Sequence, residues 1–270
     1  MIRFHLGTQS WNFRAWVGPF YPPDTKNTDM LRWYGRMFSS IEVDSSFYGV
    51  PAEPILRGWR DKVPDDFEFA LKAPQQITHT KRLAAVGDDL LHFTDRVRVL
   101  EEALGPILIQ LPPDFLPSQE TRATFLGFLD VLPEDIHWAV EFRHPEWLVP
   151  ETLSALREHN VALALVDGRW VKRSRMLELI SEATADFLYL RWMGQDHQLT
   201  DYSQPQVDCD EELAAWAKAF DVLPARIDTV YGYFNNQFQG HSPHSAREML
   251  RLLGQEPVEP LALRTQTELW

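Results

Sequence analysis

Eight short apolar segments, each followed by a stretch long enough for a helix, constrain the fold of this chain more than any other feature. The segments cover residues 3–8, 40–44, 67–72, 107–111, 137–142, 162–167, 187–192 and 229–234. Strands that alternate with helices are typical of a parallel sheet, and 270 residues is close to the usual length of an eight-stranded α/β barrel. We therefore predict a TIM-type (β/α)8 barrel that forms a single domain over residues 1–270, in which residues 254–270 are a C-terminal tail packed on the surface.

The alternation of side chains within the strands favours a closed barrel over an open sheet. One face is apolar in most strands and includes Ile41, Phe69, Ile109, Ala164 and Leu190. The other face is polar, mainly toward the C-terminal ends of the strands, and carries Glu42, Asp44, Glu68, Lys72, Gln110, Glu141, Arg143, Asp167, Arg191 and Asn235. An open sheet covered by helices would be apolar on both faces, whereas a barrel has an interior of its own. We expect the polar ends to meet at one mouth, where TIM barrels hold their active sites.

The segment EFRHPEW, residues 141–147, concentrates charge at one of these strand ends. The functional interpretation is that Lys72, Arg143 and Arg191 bind an anion. Glu141 and Asp167 then transfer protons, and Glu42 and His79 are further candidates for this role. The structural alternative is that these carboxylates and cations satisfy one another as ion pairs, because a buried charge without a partner is costly.

Uncharged and aromatic residues near the predicted mouth supply further candidate ligand contacts. The polar candidates are Gln110, His144, Asn235 and Asn236, and the aromatic candidates are Trp11, Phe47, Tyr48 and Trp147. Aromatic rings at a mouth suit a sugar or a base, although they also pack long loops.

The same residues argue against a metal or an organic cofactor. Cations interleave with the carboxylates and would compete with a metal, and no pair of histidines has a ligand spacing. A Schiff base at Lys72 would require a desolvated and partly neutral amine, which the four nearby carboxylates oppose. We predict no metal and no cofactor.

Composition limits the partners of the protein. A formal net charge of -13 repels polyphosphates at long range, so nucleic acid is an unexpected partner and a small molecule is the expected one. The N-terminal residues lack the apolar core of a signal peptide, no segment reaches transmembrane length, and Cys209 is the only cysteine. We expect a soluble, cytoplasmic protein without a membrane partner. The sequence does not indicate its oligomeric state.

Seven motifs together resemble one family, the YecE-like proteins of the domain of unknown function DUF 72. They are GTQSW (7–11), FYPP (20–23), IEVDSSFYGVP (41–51), KAPQQITH (72–79), QLPP (110–113), EFRHPEW (141–147) and YFNNQFQG (233–240). The resemblance implies a TIM-barrel fold and a loose similarity to sugar-isomerase barrels. Two positions depart from the family pattern: Asp44 stands where many members have asparagine, and Met193 stands where Arg-x-His-Gly would place a histidine.

Three functional hypotheses follow. The first is an enzyme, isomerase-like or hydrolase-like, that acts on a small polar anionic metabolite such as a sugar phosphate by acid/base chemistry at the mouth. The second is a small-molecule binding module or sensor without catalysis. The third is a metal-dependent hydrolase or nuclease.

Overall fold

The computed structural model describes residues 2–195 and 198–260, and it confirms the predicted barrel. Eight parallel strands form one sheet in the order β1-β8-β7-β6-β5-β4-β3-β2. Their bounds are β1 Arg3–Thr8, β2 Ser40–Val43, β3 Glu68–Lys72, β4 Leu104–Gln110, β5 Trp138–Glu141, β6 Ala162–Gly168, β7 Phe187–Gly194 and β8 Thr229–Phe234. All eight coincide with segments chosen from the sequence, with ends that differ by up to three residues.

Helices pack against the outside of the sheet and bury its outward face. They are α1 Asn27–Tyr34, α2 Glu53–Arg60, α3 Gly87–Val97, α4 Gln119–Leu129, α5 Pro150–Glu158, α6 Arg173–Leu179, α7 Asp210–Ala219, α8 Asn236–Gln239 and α9 Ser242–Leu252. The buried residues between helices and sheet form the larger of two hydrophobic clusters. None of the helices in the described part of the chain has the length and apolar character needed to cross a bilayer.

The barrel interior holds a second, smaller apolar cluster. Small residues on β3, β5 and β6 face aromatic rings from β7 and β8, so that the interior is filled in the manner of a packed core. The members are Ala70, Leu108, Ala139, Ala162, Ala164, Ala185, Phe187, Tyr189, Tyr231 and Tyr233. The predicted orientation of β6 is therefore wrong: Ala162 and Ala164 face inward, while Leu163 and Leu165 face the helices.

The seam between β1 and β2 is closed mainly by side chains. The Tyr34 hydroxyl, from α1, accepts a hydrogen bond from the Thr8 N–H at 2.8 Å and donates one to the Ser40 carbonyl at 3.2 Å. One backbone hydrogen bond, from the Ser10 N–H to the Glu42 carbonyl at 2.8 Å, joins the chain just beyond the C-terminal end of β1 to β2. Gly7 permits this approach, because a Cβ atom there would lie 2.1 Å from the Ser40 carbonyl oxygen.

Interior side chains also tie β2 and β3 to strands across the barrel. The hydroxyls of Ser40 and Tyr233 are 2.7 Å apart, and the Tyr231 hydroxyl donates to Glu68 Oε2 at 2.8 Å. These bonds connect β2 and β3 to β8 through the interior.

We expect Tyr34→Phe to lower the free energy of unfolding by about 1–3 kcal/mol, because it leaves a buried N–H and a buried C=O with one partner fewer. Urea denaturation followed by circular dichroism measures this change. The matched control is Tyr48→Phe, since the Tyr48 side chain is exposed and its substitution should alter stability by less than about 0.5 kcal/mol. Equal effects of the two substitutions would contradict the role of Tyr34 at the seam.

The described part of the C-terminal tail is bound to the last helix. Glu259 forms ion pairs with Arg247 and Arg251 of α9, and Gly254 ends the helical region with a positive φ of 72°. Residues 261–270 of the predicted tail lie outside the described residues.

Candidate active site at the barrel mouth

Arg191 is the centre of a buried ion network at the C-terminal end of the barrel. Its guanidinium donates to Glu42 through Nε and Nη2, with a shortest distance of 2.7 Å, and to Glu141 Oε2 through Nη1 at 2.6 Å. Asp44 lies 3.5 Å from Nη2. Arg191, Glu42 and Glu141 are each at most 1% exposed. The sequence suggested Arg191 as an anion ligand, but its nitrogens already bind three carboxylates.

The pKa values of Glu42 and Glu141 are shifted in opposite directions. Burial by itself would raise the pKa of Glu141, but the guanidinium groups of Arg191 and Arg143 outweigh it and lower that pKa to about 2. This lowered pKa favours the ionised form of Glu141 near neutral pH, which does not suit the predicted proton transfer. Burial raises the pKa of Glu42 even though Arg191 opposes this. Glu42 is covered by Arg191 and by the Tyr189 hydroxyl, which donates to it at 2.6 Å.

Asp167 lies outside the barrel interior, contrary to the prediction from the sequence. Its Oδ2 accepts hydrogen bonds from Arg173 Nε at 2.5 Å and from Trp216 Nε1 at 2.8 Å, so the side chain points toward α6 and α7. The cause is the orientation of β6, in which the inward positions are occupied by Ala162, Ala164 and Val166. The structure therefore separates Asp167 from the other predicted catalytic residues.

A cavity of about 350 Å³ opens at the mouth above β5 to β8. Residues that follow the strands form most of its wall: Glu141, Arg143, Val166, Gly168, Arg169, Trp170, Met193, Gly194, Gln195, Gln198, Asn235 and Gln237. Gly194 has a φ of 78°, and a Cβ atom there would lie 2.2 Å from the Gln237 carbonyl oxygen. This glycine allows the end of β7 to lie directly against α8 and so sets the shape of the cavity wall.

Arg143 and Arg169 are the two cations of the cavity wall, and Arg143 is the one that follows β5 and contacts the buried ion network. Its Nε donates to Glu141 Oε1 at 2.8 Å, and its Cζ lies 5.6 Å from the centre of the Trp170 ring. Within residues 2–195 and 198–260, neither of its terminal nitrogens has a hydrogen-bond partner. Because the side chain is 21% exposed, these nitrogens can reach a ligand. Glu141 thereby orients Arg143 rather than neutralising all of its donors.

Lys72 and His79 lie together on the β2–β3 side of the mouth. The Lys72 Nζ is 4.2 Å from the centre of the Phe47 ring, and the His79 ring packs on the same phenyl group with a centre distance of 4.9 Å. Thr78 Oγ1 and His79 Nδ1 form a hydrogen bond of 2.8 Å. Burial, followed by Lys72 and Arg143, lowers the pKa of His79, so the imidazole is neutral at pH 7.

The four other polar candidates, Gln110, Asn235, Asn236 and His144, differ in their surroundings. Gln110 and Asn235 lie at the mouth but are bonded to protein, Gln110 to the Leu111 carbonyl at 2.8 Å and Asn235 to Gln9 Oε1 at 2.8 Å. Asn236 is buried and caps the start of α9 through Ser242. His144 is partly buried, and its buried Nδ1 has no hydrogen-bond partner among the described residues.

None of the four aromatic candidates lines this cavity. Trp147 is buried, stacks on Phe115 and Phe142, and donates from Nε1 to the Phe115 carbonyl at 2.6 Å. Trp11 packs edge-on against Trp59 of α2. Tyr48 is 77% exposed and lines a separate cavity of about 420 Å³ beside the segment 74–77. Only Phe47 contacts the charged residues of the mouth.

Trp170, Gln195 and Gln198 belong to the cavity wall but were not among the predicted site residues. Each follows the C-terminal end of β6 or β7, and this position was the one sequence signal that could have identified them. Within residues 2–195 and 198–260, no group of three His, Cys, Asp or Glu residues is placed to hold a metal ion. The absence of a metal and of a cofactor stays a prediction.

Comparison with known proteins shows similarity over almost the whole chain. The sequence model of the family described as protein of unknown function DUF72 matches residues 5–268. UPF0759 protein YecE of Escherichia coli K12 is 30% identical over 176 residues, which are 63% of this chain and 61% of YecE. UPF0759 protein YunF of Bacillus subtilis 168 is 25% identical over 275 residues, covering 92% of this chain and 94% of YunF.

Solved structures show the same fold. The crystal structure of a DUF72 family protein from Thermotoga maritima MSB8 has a TM-score of 0.79 and 25% identity, and the alignment covers 94% of this chain and 100% of the other. A DUF72 family protein from Enterococcus faecalis V583 has a TM-score of 0.73 at 18% identity, with 95% and 99% covered.

Proposed function

The chain belongs to the DUF72 family, and from the chemistry of its own site we propose that it is an enzyme acting on a small anionic metabolite at the barrel mouth. The two terminal nitrogens of Arg143 carry this proposal. They line the cavity, are accessible, and are aligned by Glu141 through a hydrogen bond of 2.8 Å. A guanidinium held in this way is suited to bidentate binding of a phosphate or carboxylate group.

The rest of the site supports a small ligand. A volume of about 350 Å³ is within the usual range of small-molecule sites. Trp170 supplies an apolar wall and Gln195 and Gln198 supply amide groups near the same opening. The overall charge of -13 opposes long polyanions, but a local cation still attracts a small anion at short range.

His79 is the residue that best fits proton transfer. Its imidazole is neutral near pH 7, and no hydrogen bond to its Nε2 is formed within the described part of the chain. Glu141 binds the cations and Asp167 faces the helices, so neither has the access that proton transfer requires.

A binding module without turnover is the second candidate function. The observation that favours it is the ion pairing of Arg191 with both Glu42 and Glu141, which leaves few charged groups free for chemistry. Under this proposal the cavity binds the same class of anion and releases it unchanged.

A ligand screen tests the anion site. We expect a small phosphate or carboxylate compound to raise the melting temperature of the wild-type protein, and Arg143→Gln to weaken its binding by about 10–100-fold, because a hydrogen-bonded charge pair is worth about 1.5–3 kcal/mol. Isothermal titration calorimetry gives the affinities.

Arg98→Gln is the matched control for this screen. Arg98 also pairs with carboxylates, Asp95 and Asp135, but on the protein surface, and its substitution should leave ligand affinity unchanged. Equal affinities of wild type and Arg143→Gln would reject the anion site. Mass spectrometry of the ligand after incubation separates the two candidate functions, since a binding module returns it unaltered.

A further inference from the structure

Lys72 is a cation of the barrel mouth that has no ion-pair partner among residues 2–195 and 198–260. The carboxylates near it are engaged by other cations: Glu42 and Asp44 by Arg191, and Glu141 by Arg191 and Arg143. The sequence suggested that these carboxylates would keep Lys72 protonated. None of the three lies within 4.0 Å of Nζ, and although all three act to raise the pKa of Lys72, burial and Arg191 outweigh them.

Ser46 holds the backbone of Lys72, and the Lys72 amine lies against Phe47. The Ser46 hydroxyl lies 2.8 Å from the Lys72 carbonyl oxygen and accepts a hydrogen bond from the Lys72 N–H at 3.1 Å. Ser46 precedes Phe47, so this clamp sets the aromatic ring against the amine, with Nζ 4.2 Å from the ring centre. Lys72 is partly buried at the last position of β3, and β3 ends at the mouth.

We propose that Lys72 is a nucleophilic amine that forms an imine with the carbonyl carbon of a small anionic aldehyde or ketone bound at the barrel mouth. This inference rests on the proposed function, because Arg143 would hold the anionic group of the same compound. Burial, followed by Arg191, lowers the pKa of Lys72 and so increases its reactive neutral fraction. His79, on the same Phe47 ring, is the group that moves protons.

The step balances without an oxidant or reductant. The lone pair of Nζ forms a bond to the carbonyl carbon, the carbonyl π electrons move to oxygen, and one proton passes from nitrogen to that oxygen. A second proton transfer, also from nitrogen to the hydroxyl group, allows water to leave as the C=N bond forms. His79 accepts each proton from nitrogen and returns it to oxygen. The imine, once protonated, withdraws electrons from the adjacent carbon, which acidifies its C–H bond.

Reductive trapping tests this inference. The wild-type protein is incubated with dihydroxyacetone phosphate or with pyruvate, and sodium borohydride then reduces any imine to a stable secondary amine. The chain has six lysines, so peptide mapping by mass spectrometry assigns the adduct directly. We expect more adduct on Lys72 than on the other five together. Labelling of all lysines in proportion to their exposure, or no labelling with either probe, would overturn the proposal.

Variants and an unreactive ligand complete the test. Lys72→Arg should remove the adduct, whereas Lys81→Arg, which alters a lysine paired with Asp89, should leave it unchanged. The mapping of the wild-type protein decides the question even where a variant does not fold. Glycerol 3-phosphate carries an anionic group but no carbonyl group. If it raises the melting temperature but neither carbonyl probe is trapped, the result supports the anion site and rejects imine formation. Trapping on Lys72 that is unaffected by Arg143→Gln would instead reject the anion site.

Discussion

Arg191→Met is expected to lower the free energy of unfolding at pH 7 by about 3–5 kcal/mol, because it leaves buried carboxylates without their principal partner. Among the described residues, Glu42 loses its only guanidinium contact and Glu141 retains only Arg143. Methionine fills most of the same volume, so the loss of charge dominates over the loss of packing. Urea denaturation at equilibrium measures the change.

The free energy of unfolding lost in Arg191→Met should depend on pH in a defined direction. In the wild-type protein the pKa of Glu141 is about 2 in the folded state against an ordinary 4.5, a difference that corresponds to about 3 kcal/mol. A lowered folded-state pKa stabilises the protein above pH 4.5, and this contribution disappears as the pH falls through 4.5 toward 2. The difference between wild type and Arg191→Met should therefore be largest at neutral pH and should shrink across that window.

Arg98→Met provides the control. Arg98 binds Asp135 and Asp95 with distances of 2.9 Å, but on the surface, so its removal should cost less than about 1 kcal/mol. If Arg191→Met costs no more than Arg98→Met, the buried network does not stabilise the barrel as we argue.

Gly194→Ala is expected to lower the free energy of unfolding by about 2–4 kcal/mol, from the cost of a left-handed backbone and from overpacking. The backbone at Gly194 has a φ of 78°, and the new methyl group would meet the Gln237 carbonyl oxygen at 2.2 Å and the Phe238 Cα at 2.7 Å. These close contacts can be relieved only if α8 moves away from β7. Because Gln237 lines the cavity, we also expect weaker ligand binding, measured by calorimetry beside urea denaturation.

Gly127→Ala is a control with the opposite expected sign. Gly127 is an exposed residue of α4, and a Cβ atom there would meet nothing within 4 Å. Alanine in the middle of a helix should therefore stabilise the protein by about 0.5–1 kcal/mol. A Gly194→Ala protein as stable as wild type would show that β7 and α8 can separate without cost.

The sequence was sufficient to predict the barrel because strand alternation is a local signal. Glu42, Glu141 and Arg191 alternate with apolar neighbours, and all three point inward as predicted. Residues of β6 were assigned wrongly because both of its faces are apolar, so Asp167 alone decided the predicted orientation. Its true partners, Arg173 and Trp216, lie on α6 and α7, and no local pattern reveals that a carboxylate faces the helices.

The roles of the charged residues were harder to predict than their positions. The alternation along the strands predicts that Arg143 and Arg191 both face inward. The terminal nitrogens of Arg143 are nevertheless accessible, whereas Arg191 is enclosed by carboxylates. This difference depends on distances between β2, β5 and β7, which are far apart in the chain. The same limitation applies to Lys72, whose lack of an ion-pair partner within the described residues depends on how its neighbours pair with one another.

The cross-barrel contacts of β2 mean that the buried ion network at the mouth and the closure of the barrel are maintained by the same atoms. Glu42 on β2 is bonded to Tyr189 and Arg191 on β7, and Ser40 on β2 to Tyr233 on β8, while the β1–β2 seam depends largely on Tyr34. A ligand that drew Arg191 away from Glu42 would loosen the edge of the sheet as well as rearrange charge. We therefore expect substitutions at the rim, around Arg143 and Lys72, to disturb the closure of the barrel less than substitutions in the network beneath it. The rim and the closure of the barrel can therefore be altered separately.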